Sequence, residues 1–231
     1  MHLRLTIEKE LLTSFWGGKM KYKGIIFDLD GVICFTDKYH YEAWKMMADE
    51  EGIYFDEEIN NRLRGISRME SLEIILERRT REYTQEEKVA LATHKNNLYR
   101  ELLANMTPAD LANETKETLE KLRSLGLKLA IGSSSKNAKF ILERIGLIDF
   151  FDAISDGTNI SNSKPDPEVF IKGAQMIELE PSECLVVEDA YAGVDAACNG
   201  GFESAAIGDA SSYEKATYSL SVFADLLKVI Y

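Results

Sequence analysis

Asp28 and Asp30 stand one residue apart at the end of the apolar run Gly24-Ile25-Ile26-Phe27. In an extended backbone such a pair projects to one side, with Cα atoms roughly 6–7 Å apart, so the two carboxylates share one space. They repel unless a proton or a cation joins them. Three later stretches end apolar runs in chemistry of a matching kind: Ser133-Ser134-Ser135, Glu188-Asp189 and, between them, the loop Lys164-Pro165-Asp166-Pro167. Ligands of open parallel sheets bind beyond the carboxyl ends of the strands. The chain therefore predicts four acids, a hydroxyl and a lysine at one rim. All-oxygen ligation favours a hard ion such as Mg²⁺, and a lysine beside that ion selects a second anion, a phosphoryl group bridged to the metal.

The elements that must carry these residues can be read from periodicity. Residues 23–29, Leu127–Gly132 and Cys184–Val187 are short continuous apolar runs, as buried parallel strands are, with Ser204–Ile207 a further candidate. Between them lie helical patterns: Leu119, Leu122 and Leu125 closed by Gly126; Phe140, Ile141 and Ile145 closed by Gly146; and Val169, Phe170, Ala174 and Ile177, opened by Asp166 as N-cap and Pro167 at the first helical position. The alternation reads as βαβ units. The Ala- and Gly-rich stretch from Asp189 to Gly201 suits a helix lying close to the sheet. Residues 37–105 show helical spacing and no strand. The expected organisation is an extension over residues 1–19, an α/β core from 20–35 and 107–231, and a helical insert over 36–106.

Composition excludes several classes of function. The 231 residues are 45% hydrophobic, enough for a full core, and 39 acids against 27 bases give a formal charge of −12. That balance argues against a nucleic-acid surface, which needs clustered Lys and Arg. Cys34, Cys184 and Cys198 are scattered, so neither a disulfide framework nor a zinc site is expected. Glu8 and Glu10 interrupt any signal-peptide core and no window is apolar enough to span a bilayer, so the expectation is a cytoplasmic protein with no membrane partner. Trp16-Gly17-Gly18-Lys19 corresponds to a purine-rich ribosome-binding codon pattern ahead of Met20. Met20 is accordingly read as the natural start, against the alternative of a flexible terminal tail.

Asp28-Leu29-Asp30-Gly31-Val32, Ser133, Lys164 and Glu188-Asp189, in that order, resemble the four motifs of the haloacid dehalogenase-like (HAD) phosphotransferases. Residues 20–231 further resemble the β-phosphoglucomutase family in FDLDGVI, TDKYHYEAWK, LRGISRMESL, KNNLY, FFDAI, SSSKN, SKPDP and VVEDAYAG. The resemblance implies a Rossmann-like parallel-sheet HAD core with an inserted α-helical cap domain. It implies Asp28 as nucleophile, Asp30 as general acid–base, Ser133 and Lys164 around the transferring phosphate, and Mg²⁺ held by Asp28, Glu188, Asp189 and the Asp30 carbonyl. A distal phosphate site would comprise Arg68, Ser135, Lys136 and Asn137. Gly65, Ile66 and Ser67 would form the cap's substrate loop, His40 and Lys95 its contacts, and Thr36 the hinge. The expected ligands are hexose phosphates, bound by a monomer.

Read singly, Arg68 and Lys95 are equally solvated helix charges, His40 a helix histidine, Lys136-Asn137 a helix start and Lys164 a loop lysine. Tyr41, Trp44, Met46 and Met47 read as packing, and Cys34 as a buried small hydrophobe. Two residues depart from the family pattern: Phe35 stands where an acid is usual, and Ala190 where a serine is common. A sugar-phosphate phosphatase shares every core residue, and a phospho-acceptor signalling domain shares the acidic pocket, hydroxyl and lysine.

Overall fold

Apolar runs too short for a helix pair side by side into one parallel sheet. The computed structural model describes residues 19–63 and 66–231; residues 1–18, Arg64 and Gly65 lie outside the described residues. The strands are β1 (Gly24–Phe27), β2 (Lys128–Gly132), β3 (Ala153–Ser155), β4 (Cys184–Glu188), β5 (Glu203–Ala206) and β6 (Tyr218–Ser219), in the order β3-β2-β1-β4-β5-β6. Every pairing is parallel, and β1 lies between β2 and β4 with Ile25 opposite both Leu129 and Leu185. After β1 the chain lays strands to one side, then crosses to the other. The carboxyl end of β1 is therefore the switch point at which a crevice opens.

Side-chain alternation divides the core between two faces. Ile25, Phe27, Leu129, Ile131, Leu185 and Val187 face one side, with α5 (Asn113–Ser124) and α6 (Ala138–Arg144) supplying Leu119, Leu122, Ile141 and Leu142. The terminal α9 (Leu226–Val229) adds Leu226 there. Ile26, Ala130 and Val186 face the other, against α7 (Glu168–Met176) and α8 (Tyr191–Asn199). Gly126 and Gly146, with φ of 88° and 77°, close α5 and α6 as their positions predict. At α7 the expectation shifts by one residue: Pro167 is the N-cap, and Asp166 accepts from Glu168 N at 2.9 Å.

Between β1 and α5 the described chain adds no strand to the sheet; its α-helices are α1 (Asp37–Glu50), α2 (Glu57–Asn61), α3 (Arg68–Leu76) and α4 (Gln85–Leu103). Trp44 and Met47 of α1 are buried as expected, whereas Met46 is exposed, because it lies on the outer face of the same helix. Ser67-Glu70 and Thr84-Glu87 form reciprocal capping boxes that fix the starts of α3 and α4. Among the described residues no helix is long and apolar enough to cross a membrane.

Candidate active site

Asp28 follows β1 directly, its backbone N–H bonded to Val187 O at 2.9 Å, so it leaves the sheet beside the end of β4. Lys164 enters from the loop ahead of α7 and donates to Asp28 Oδ1 and to Glu188 Oε1. All three are nearly enclosed, and Lys164 Nζ also lies 4.7 Å from the Phe170 ring centre. Burial alone lowers a lysine pKa, but the two carboxylates outweigh it and hold Lys164 above its usual value. Glu188 is pushed up by burial, against the opposing pull of Lys164. Its second oxygen accepts backbone N–H groups of Asp189 and Ala190 at 2.9 and 3.0 Å. Ala190 thus serves Glu188 through its main chain alone.

Asp189 is driven up to about 8 by burial and by Asp28, Glu188 and Asp30. Two glycines make room for this crowding. A Cβ at Gly31, whose φ is +87°, would lie 1.9 Å from Asp189 Oδ2, and a Cβ at Gly193 would lie 1.9 Å from Glu188 Oε1. Such an under-neutralised, all-oxygen donor set fits a hard divalent cation. Among the described residues, however, no three His, Cys, Asp or Glu side chains are gathered as a ready metal group. The reason is visible for two of the four expected ligands. Lys164 stands between Asp28 and Glu188.

Asp30 Oδ1 accepts from Thr36 N at 2.8 Å and its Oδ2 from Thr36 Oγ1 at 2.6 Å, while Tyr99 OH of α4 donates to Thr36 Oγ1 at 2.9 Å. His40 Nε2 is 3.8 Å from Asp30 Oδ2, and Lys95 Nζ is 2.9 Å from His40 Nδ1. Burial raises the Asp30 pKa to about 6, against the Thr36 hydrogen bonds that favour its anion. Lys95 is 2% exposed, packed 4.6 and 4.7 Å from the ring centres of Trp44 and Tyr99. Burial, then the charge of Arg68, lowers it to about 7. His40 is held well below its usual value by burial, Lys95 and Arg68.

Ser133 follows β2; its Oγ accepts from Ser135 N at 3.2 Å, which leaves its proton to donate. Ser135 Oγ in turn accepts from Asn137 N at 3.1 Å. Arg68 Nη2 and Asn137 Nδ2 converge on a single acceptor, Asn96 Oδ1, at 2.7 and 3.0 Å. Lys136 is exposed, as is Ile66, and the Ser67 hydroxyl accepts from Glu70 N at the start of α3. Phe35, 69% exposed, carries no polar group where the acid is usual, and Cys34 is buried as expected.

Sequence reasoning missed Tyr99, Asn96 and Arg100 as individual residues, though the first two lie in the KNNLY segment. Their signal was positional: residues 92, 95, 96, 99, 100 and 103 recur at three- and four-residue intervals along α4.

Residues 22–201 match the model of the haloacid dehalogenase-like hydrolases. A β-phosphoglucomutase of Bacillus subtilis (strain 168) is 43% identical over 188 residues, covering 80% of this chain and 83% of that protein. A phosphorylated carbohydrates phosphatase of Thermotoga maritima is 29% identical over 78% of this chain and 82% of its own. The crystal structure of a β-phosphoglucomutase from Clostridium difficile matches with a TM-score of 0.81 at 38% identity, over 89% of this chain and 93% of the other. The chain belongs to the haloacid dehalogenase-like hydrolase family and, within it, to the β-phosphoglucomutases.

Proposed function

We propose that this enzyme interconverts β-D-glucose 1-phosphate and glucose 6-phosphate through an aspartyl-phosphate on Asp28 and a β-glucose 1,6-bisphosphate intermediate. One observation carries the reading beyond a generic phosphotransferase. Arg68 and Asn137 aim two donors at one oxygen, a second anion site that a bisphosphate needs and a simple phosphatase does not.

In the forward direction the sugar C6 hydroxyl attacks the phosphorus of phospho-Asp28. The O–P bond to Asp28 breaks, and Asp30 takes the hydroxyl proton. The bisphosphate turns over, Asp28 attacks the phosphorus at C1, and Asp30 returns the proton to the departing sugar oxygen. A value of about 6 suits Asp30 to both directions near neutrality. Ser133 and Lys164 hold the transferring group, since positioning and charge neutralisation are most of what phosphoryl transfer requires.

Mg²⁺ would be held by Asp28, Glu188, Asp189 and the Asp30 carbonyl, where it supplies Lewis-acid neutralisation of the transferring phosphoryl oxygens. Lys164 would then turn from the carboxylates to the phosphate. The insert over 36–106 serves as a cap, closing about Thr36 and shutting water out. Ile66 and Ser67 flank the substrate, and Ser135 and Lys136 complete the distal site.

A coupled assay tests this with β-glucose 1-phosphate and bisphosphate primer. Rapid glucose 6-phosphate formation with slow phosphate release is expected. Fast phosphate release from glucose 6-phosphate without isomerisation overturns the reading in favour of a phosphatase. A stable aspartyl-phosphate with no turnover overturns it in favour of a phospho-acceptor domain.

A further inference from the structure

One cation beside the distal donors has no part in the mechanism above. Arg100 lies four residues after Asn96 and so on the same face of α4. Its guanidinium reaches across to α6, where it lies 4.5 Å from the Phe140 ring centre and donates from Nη1 to Asn137 Oδ1 at 3.1 Å. Asn137 is 4% exposed. Although it occupies the N-cap of α6, its side chain makes no capping bond, so the helix does not dictate how the amide is turned. A carboxamide has one accepting end and one donating end. Arg is a donor only, so with Arg100 on the carbonyl the Nδ2 end must face Asn96 and Arg68.

We propose that Arg100 is a positioning residue of the distal phosphate site, holding the Asn137 amide with its N–H toward the ligand. The proposal rests on the reading of Arg68 and Asn137 as phosphate donors. Phe140 keeps the guanidinium plane in place, as a flat aromatic face does for Arg. Without Arg100, the amide can rotate and present its carbonyl to the phosphate, which repels it. Asn96 Oδ1 meanwhile stands in for a phosphate oxygen, accepting both donors until the ligand displaces it.

A double-mutant cycle tests this on the full chain, using Arg100→Ala, Asn137→Ala and the pair. Each variant is assayed with β-glucose 1-phosphate plus bisphosphate and, separately, with acetyl phosphate, which has no distal phosphate; thermal melting checks folding. Arg100→Ala should raise KM for the hexose phosphate about tenfold, as loss of a charged hydrogen bond does, with acetyl phosphate turnover unchanged. In the Asn137→Ala background the same change should add nothing. If the two effects multiply, or acetyl phosphate turnover falls equally, Arg100 acts by general charge or by structure and the proposal fails. If Asn137→Ala raises KM while Arg100→Ala does not, the proposal fails alone. If Asn137→Ala leaves KM unchanged, the distal-site reading fails and takes this proposal with it.

Discussion

Gly31 decides how closely the two acidic tips can approach. Its φ of +87° is a left-handed conformation that side chains resist, and a Cβ there would overlap the Asp189 carboxylate. Gly31→Ala should therefore strain the turn between Asp28 and Thr36 and displace Asp189. The Mg²⁺ concentration needed for half-maximal turnover is expected to rise about tenfold or more, in the range seen when groups supporting a metal ligand are lost. Lys95 gives a second test, read in stability. Its folded value of about 7 lies below its unfolded 10.5, so between those pH values the unfolded chain binds the extra proton. Stability must rise with pH across that window, and the penalty is complete below about pH 7. In Lys95→Met this dependence should vanish, at on the order of 1.4 kcal/mol per pH unit crossed. Urea unfolding of both proteins at pH 7 and 9 measures it, and parallel profiles would show that Lys95 is not held neutral.

Elements transmit their spacing to the site. Gly132 sits at the end of β2 where a Cβ would lie 2.7 Å from the Phe170 ring, and Phe170 both seats α7 on the sheet and packs under Lys164. Gly132→Ala should lift α7, destabilising the fold by about 1–3 kcal/mol and lowering kcat through Lys164 while KM changes little. Denaturant unfolding and steady-state kinetics check the two halves; a stability loss with kcat intact would uncouple the helix from the chemistry. The strands that carry Asp28, Ser133 and Glu188 were legible because each is a buried apolar run whose chemistry follows it within one or two residues. Lys164 was legible in the same local way, between two such runs. The three-residue β3 and two-residue β6 are too short to show any period, so neither strand was foreseen. Arg100 and Asn96 were not singled out for a different reason. On a helix rich in charged and polar residues they read as solvated surface, and their partner Asn137 lies 37 and 41 positions away.

At the scale of the whole molecule, the proposed function asks a chain of net charge −12 to bind a doubly phosphorylated sugar, so its attraction must come from cations and N–H donors gathered locally. The fold divides them. Lys164 belongs to the α/β core and faces the acids at the end of β1, whereas Arg68 begins α3 of the insert and is joined to the core through Asn96 and Asn137. If core groups serve the bond that breaks and insert groups serve the idle phosphate, the two can be separated by substrate. Arg68→Ala should lower kcat/KM for β-glucose 1-phosphate by about 100-fold, the upper part of the range for a charge-assisted contact. Its turnover of acetyl phosphate should stay within about threefold of the parent, because no transition-state contact is lost there. Asp28→Asn should abolish both reactions, since on the proposed mechanism Asp28 is the nucleophile in each. Equal loss of the two activities in Arg68→Ala would mean that the insert acts on the reacting centre itself, and the division of labour between the two parts of the chain would have to be abandoned.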